Sequence, residues 1–167
     1  MERISKNISY KEATKSATAS RRGIKNTPTE FQLQNMKMVA ERIFQPLRER
    51  HGKPIAITSF LRSVELNKAI GGSKTSQHLQ GGENGKEEGA IDIDADVYDN
   101  GITNAEIFDY ILKNLEFDQL IWEYGTDDEP DWVHVSYRKG ANRKQTLKAV
   151  RERQPNGKYK TKYYVKK

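Results

Sequence analysis

Cysteine is absent from the chain. That excludes disulfides, thiolate zinc sites and cysteine nucleophiles, and it leaves the redox compartment open. Long apolar runs are absent too. No stretch approaches the roughly 20 apolar residues that a membrane helix needs. The opening segment MERISKNISYKEATKSATASRRGI has no apolar centre of signal-peptide length, so a soluble protein without a signal peptide is expected. Histidine is scarce: only His51, His78 and His134. Acids are nearly missing from one region. From Tyr137 onward, twelve Lys and Arg face a single acid, Glu152, a local charge of +11. The whole chain carries +6, so residues 1–136 carry −5.

What is present suits one domain with a modest core: 167 residues, 35% hydrophobic and 31% charged. The charge step divides it into a main domain, residues 1–138, and a basic tail, residues 139–167. The tail has two readings. It meets a polyanion, such as an anionic cell-wall polymer or nucleic acid, or it is a solvated, poorly ordered end.

Periodicity supplies the elements. A short helix is expected over 10–20, with Ser9 as cap. A helix from about Pro28 to Arg50 carries Phe31, Met36, Val39, Ile43, Phe44 and Leu47 near helical spacing, and Pro46 is expected to kink it or end it early. Strands are expected near 55–60, 90–97, 120–124 and 132–137, the last two as a hairpin. Helices are expected over 63–70 and 104–114. The fold class is α+β: a small, mainly antiparallel sheet flanked by helices.

One stretch asks for chemistry. SQHLQGGENGKEEGAIDIDAD, residues 76–96, puts His78 before a polar loop and then alternates Asp92, Asp94 and Asp96 with apolar residues. Either this is an acidic sheet face on a solvated hairpin, or it is half of a metal site. His134, mid-strand between Val133 and Val135, and His78, in a loop, each have an ordinary structural reading when taken singly. His51, beside Gly52 at a helix end, suits the helix dipole. Two histidines and a carboxylate from separate segments make a three-ligand zinc site with an open fourth position. Such a site needs a carboxylate to take a proton from water. Asp131, three residues before His134, and Glu123, on the facing strand, both offer one.

Ser76-Gln77-His78, Gly89-Ala90-Ile91-Asp92 and Trp132-Val133-His134 together resemble the zinc D-alanyl-D-alanine peptidases. That family includes vancomycin-resistance-type D,D-carboxypeptidases and phage endolysins. Ser59-Phe60-Leu61-Arg62-Ser63 is similar to the family's arginine element. Gly71-Gly72-Ser73-Lys74, Phe117-Asp118-Gln119-Leu120-Ile121 and the segment Ser9–Ser16 resemble phage-associated members. The resemblance covers about residues 4–138 and leaves the basic tail outside. It implies zinc as cofactor and His78, Asp92 and His134 as its ligands, at the sheet. It implies Asp131 as general base, with Glu123 in reserve. Arg62 would hold a substrate carboxylate or the polarised carbonyl oxygen, and Ser76 would support the substrate or the metal shell. The implied substrate is the peptidoglycan stem peptide, cut by a monomeric phage or prophage product made in the host cytoplasm and acting at the wall.

Two departures stand out. Thirteen residues, 79–91, separate His78 from Asp92, more than the family's gap, so an outward loop is expected and Asp94 is an alternative ligand. Phe60-Leu61 replaces a Gly-Tyr pair before Arg62, which bears on pocket shape. Three rival readings remain: an inactive zinc-containing wall-binding module, a nucleic-acid binder using Tyr159, Tyr163 and Tyr164 among the tail lysines, and a metal-free structural scaffold. Nucleic acid is the less expected partner.

Overall fold

The computed structural model describes residues 2–167. A small two-stranded ladder, β1 (Arg3–Ser5) with β2 (Ile8–Ser9), opens the chain. Helices α1 (Tyr10–Thr14) and α2 (Ala17–Arg22) follow. They replace the single helix expected over 10–20, because Ser16 is extended and caps a new helix by accepting from the Ala19 N–H.

The long helix starts at a capping box. The Thr29 hydroxyl accepts from the Gln32 N–H while the Gln32 side chain accepts from the Thr29 N–H. Pro28 therefore precedes the cap rather than sitting in the first turn. Helix α3 (Glu30–Val39) passes through a wide π turn at Ala40–Phe44 into α4 (Gln45–His51). The π turn lies just before Pro46, where the missing N–H interrupts the α-helical ladder. The helix thus continues past the proline and stops at Gly52, left-handed at φ 64°.

The main sheet has six strands: β3 (Ala56–Ser59), β4 (Glu88–Asp94), β5 (Gln119–Glu123), β6 (Trp132–Arg138), β7 (Gln145–Arg153) and β8 (Tyr159–Val165). Helix α5 (Val64–Ala69) lies between β3 and β4, and α6 (Asn104–Asn114) between β4 and β5. The spatial order is β3-β4-β6-β5-β7-β8. The fold is α+β with a mixed sheet: every neighbouring pair is antiparallel except β5–β7. After β6 the chain crosses to the far side of β5 and runs parallel to it. Strand β4 ends at Asp94, short of the expected 97, because the Asp94 carboxylate accepts from the Asp96 N–H and turns the chain.

Alternation gives the sheet two faces. Ile91, Ile93, Leu120, Trp122, Val133 and Val135 point to the helices and join Met36, Ile43, Phe44, Ile107 and Ile111 in the main core. Each such fully buried side chain stabilises the fold by roughly 1.5–3 kcal/mol. The other face carries Asp92, His134, Ile121, Glu123, Leu147, Ala149 and Tyr163. Register connects them: Asp92 pairs with His134, His134 with Ile121, and Ile121 with Leu147. In the next row Glu123 pairs with Ala149 and Ala149 with Tyr163.

The basic C-terminal segment forms β7 and β8 rather than a disordered end. Cations from Arg138, at the end of β6, onward meet acids earlier in the chain: Arg138 with Glu88, Lys139 with Glu87, Arg143 with Asp118, Lys144 with Glu116, and Lys148 with Asp127. Arg151 stacks on Tyr124, and Lys166 lies over Trp122. The charge step in the sequence is a complementarity between two parts of one sheet.

Candidate metal centre

Asp92 and His134 stand directly opposite each other on β4 and β6, so the antiparallel ladder alone brings their side chains to one face. His78 arrives from outside the sheet, on a single 3-10 turn at Gln77–Leu79. Three bonds hold that turn. The His78 carbonyl accepts from the Arg62 N–H at 2.9 Å. His78 Nδ1 donates to the Phe60 carbonyl at 3.0 Å. Gln80, left-handed at φ 51°, spans the gap by donating to both Phe60 O and Ala90 O. The approach is close enough that a Cβ on Gly89 would come 2.0 Å from Gln80 Oε1, so only glycine fits there. The long insertion does form a surface loop: residues 82–87 are exposed, and Asn35 ties its base by donating to Gln80 O and Lys86 O.

The three side chains converge. His78 Nε2 is 3.2 Å from Asp92 Oδ1 and 3.2 Å from His134 Nδ1, and His134 Nδ1 is 2.9 Å from Asp92 Oδ1. The Nδ1–Phe60 bond fixes the ring so that Nε2 points into the cluster. Ligand atoms about 2.0–2.2 Å from a tetrahedral ion stand roughly 3.3 Å apart. The observed spacing is slightly tighter, and the donor set of two imidazoles and a carboxylate suits zinc. Burial pushes the Asp92 carboxyl up, but His78 and His134 outweigh it and hold Asp92 well below the usual carboxylate range. The cluster is ready to bind a cation without first losing a carboxylate proton.

A cavity of about 680 Å³ opens over this face. Arg62, Ser76, His78, Asp92, Glu123 and His134 all line it. Glu123 is only 8% exposed. Burial drives its pKa up to about 7; His134 counteracts this and Asp92 adds to it. Arg62 donates to Asn67 Oδ1 at 3.3 Å, and burial lowers its pKa against the raising effect of Asp92. Asp131 is placed elsewhere. Its side chain is exposed and does not line the cavity. Its backbone N–H donates to Glu123 O, and its carbonyl accepts from Asn104 Nδ2. Asp94 also has another task, accepting from Asp96 N and Asn104 Nδ2. Among the described residues, the His, Asp and Glu side chains close enough together to hold an ion are His78, Asp92 and His134.

A family model described as Peptidase M15 matches residues 6–136. The chain belongs to the Peptidase M15 family. No curated protein matches the chain. Zinc dependence is the family's habit, and the His78–Asp92–His134 cluster of this Peptidase M15 chain is where such an ion fits. The match ends inside β6, so β7 and β8 lie beyond the matched span.

Sequence reasoning missed part of the cavity. Gln77 donates to the fully buried Asp118 at 2.9 Å, and Arg143 clamps the same carboxylate through Nε and Nη2 at 2.9 and 2.7 Å. Arg138, Arg143, Leu147 and Tyr163 line the cavity as well. Asp118 lay in a quoted family-like segment, but nothing local marks it as a buried anchor.

Proposed function

We propose that this chain is a zinc-dependent hydrolase of peptide bonds in peptidoglycan stem peptides, with His78, Asp92 and His134 as the metal ligands and Glu123 as the general base. Membership of the Peptidase M15 family supports the reaction class. The observation that carries the reading is the metal-type cluster facing the same cavity as a buried carboxyl whose pKa is drawn up to about 7. A bound zinc ion would supply Lewis-acid polarisation of the scissile carbonyl and lower the pKa of a water.

The remaining steps belong to side chains. Glu123 accepts the proton of the attacking water and returns it to the leaving amine, a task suited to a carboxyl titrating near neutrality. Asp131 is the poorer base, because it does not line the cavity. Arg62 offers a fixed cation to the developing oxyanion or to a substrate carboxylate. Ser76, at the cavity mouth, supports the bound peptide.

The test is mass spectrometry of material released from purified peptidoglycan. Metal-loaded wild type should release D-alanine or stem-peptide fragments, and chelated protein none. The fragment masses separate carboxypeptidase from endopeptidase action. Folded, zinc-bearing protein that binds wall material and releases nothing would establish the inactive wall-binding module instead. Attachment to anionic wall polymer has narrower support than the charge count implied, because many tail cations are paired. The exposed residues Lys158, Tyr159, Lys160 and Lys167 remain for it.

A further inference from the structure

We propose that the segment beyond the family-matched span builds a carboxylate-binding subsite at the end of the cavity away from Glu123, with Arg143 and Arg138 as its cations, while Leu147 and Tyr163 line the cavity at the metal-type cluster. The inference rests on the peptide-hydrolase reading and extends it to substrate class: an acidic peptide, with a carboxylate a few residues from the bond that is cut.

Four observations converge. All four residues line the same cavity as the metal-type cluster, and all lie beyond residue 136. The two arginines are held from behind. Asp118 is fully buried and Glu88 is 2% exposed, whereas the Arg143 side chain is 48% and the Arg138 side chain 26% exposed. The carboxylates are packed inside and the guanidinium groups face outward. Arg143 bonds Asp118 through Nε and Nη2, and Arg138 bonds Glu88 through Nε. Neither Nη1 takes part in these bonds, so each arginine keeps donors for a ligand carboxylate.

The sheet sets the scale. Arg138 follows His134 by four residues on β6, roughly 13 Å along the strand. That is about the reach of three or four extended peptide residues. Beside His134 in its own row, Ile121 and Leu147 form an apolar floor, and Gln119 lies between that row and the arginines. Ala149 separates Glu123 from Tyr163 in the next row. Its small side chain leaves room for the Tyr163 ring to border the cavity beside Glu123. A peptide lying along this face with its cut bond at His134 carries its upstream or downstream carboxylate to the arginines.

The experiment uses two synthetic stem pentapeptides, identical except that the isoglutamate α-carboxylate is free in one and amidated in the other. Turnover is measured with metal-loaded full-length protein, and binding by calorimetry with chelated protein. The free acid should be favoured about tenfold in KM and in Kd, the scale of one charge-assisted hydrogen bond. The double variant Arg143→Met/Asp118→Asn, which leaves no buried charge unpaired and keeps Arg138 on Glu88, should lower that ratio clearly below the wild-type value. Asp118→Asn alone keeps the cation and should retain the preference. Tyr163→Ala should raise KM for both peptides more than it changes kcat. Equal binding and equal use of the two peptides by wild type overturns the subsite while leaving the peptidase intact. So does a preference undiminished in the double variant. Preferential binding of the free acid without cleavage of either peptide supports the subsite and sinks the peptidase. Binding of neither peptide sinks both.

Discussion

At one end of the cavity, His78, Asp92 and His134 stand within hydrogen-bond distance of one another on two neighbouring strands and one short turn. At the other end, Arg138 and Arg143 sit over buried carboxylates, and two added strands close the sheet. Both ends are polar and both sit on the same sheet face. The metal-type end is a concentration of lone pairs that only a cation resolves. The C-terminal end is already neutral within the protein, with each buried acid matched by an arginine. Polar groups of the first kind are kept for chemistry. Those of the second kind order the structure and leave spare donors at its surface.

Substitutions can sharpen this contrast, and the largest effect should come from the cluster. His134→Ala removes one of three donors and should lower zinc affinity by more than 100-fold, with activity lost in proportion; metal content after dialysis and turnover check both. Glu123→Gln should keep zinc and reduce kcat by about 10²–10⁴. Metal content equal to wild type with near-normal turnover would remove Glu123 from the mechanism.

At the other end, Arg143→Ala strands the buried Asp118 carboxylate. It should cost about 3–5 kcal/mol in urea unfolding, because one partner of a buried pair is removed. Lys148→Ala breaks a pair with Asp127, which is 95% exposed and screened by water, and should cost far less. Similar losses in these two variants would mean that Asp118 is better solvated than its burial implies.

A pH dependence separates the two ends further. In chelated protein Glu123 has a folded pKa of about 7 against an ordinary value of 4.5. The folded state therefore holds its proton where the unfolded state has released it. Stability from this group is full below about pH 4.5, falls as pH rises towards 7, and is flat above. Glu123→Gln should remove that slope, a difference of at most about 3 kcal/mol between pH 5 and 8. Asp118 has the opposite sign. Burial raises its pKa, but Arg143, Gln77 and Arg138 together bring it below the usual value. Its contribution is present at neutral pH and is lost as pH falls through the acid range.

The cluster was legible because its geometry is nearly local. A strand alternating apolar and acidic residues, a histidine flanked by valines and a family-like order of motifs point to Asp92 and His134 on the core sheet. A one-residue register slip would turn either of them to the core face, where Val133, Val135 and Ile93 pack. Helix α6 was legible for a similar reason: Thr103 and Glu106 cap it reciprocally and its apolar residues repeat at helical spacing. Which carboxylate lines the cavity was less legible. Asp131 and Glu123 are adjacent through the hairpin, and strand alternation decides which one faces the cavity only once the turn between them is built.

The C-terminal segment was the hardest to read. Twelve cations in 31 residues suggest a solvated tail, and no local pattern says that partners of five of them are Glu87, Glu88, Glu116, Asp118 and Asp127, 21 to 52 residues earlier. The sequence by itself determined the α+β class and the absence of any thiol chemistry, because these follow from residue type and period along the chain, while a family resemblance implied the three metal-type side chains. Only the tertiary structure decided that Glu123 rather than Asp131 enters the cavity and that β7 and β8 extend the sheet. It alone brought Arg143 and Tyr163 to the site, because those facts depend on pairings between distant strands, where burial and charge are matched in space and not along the chain.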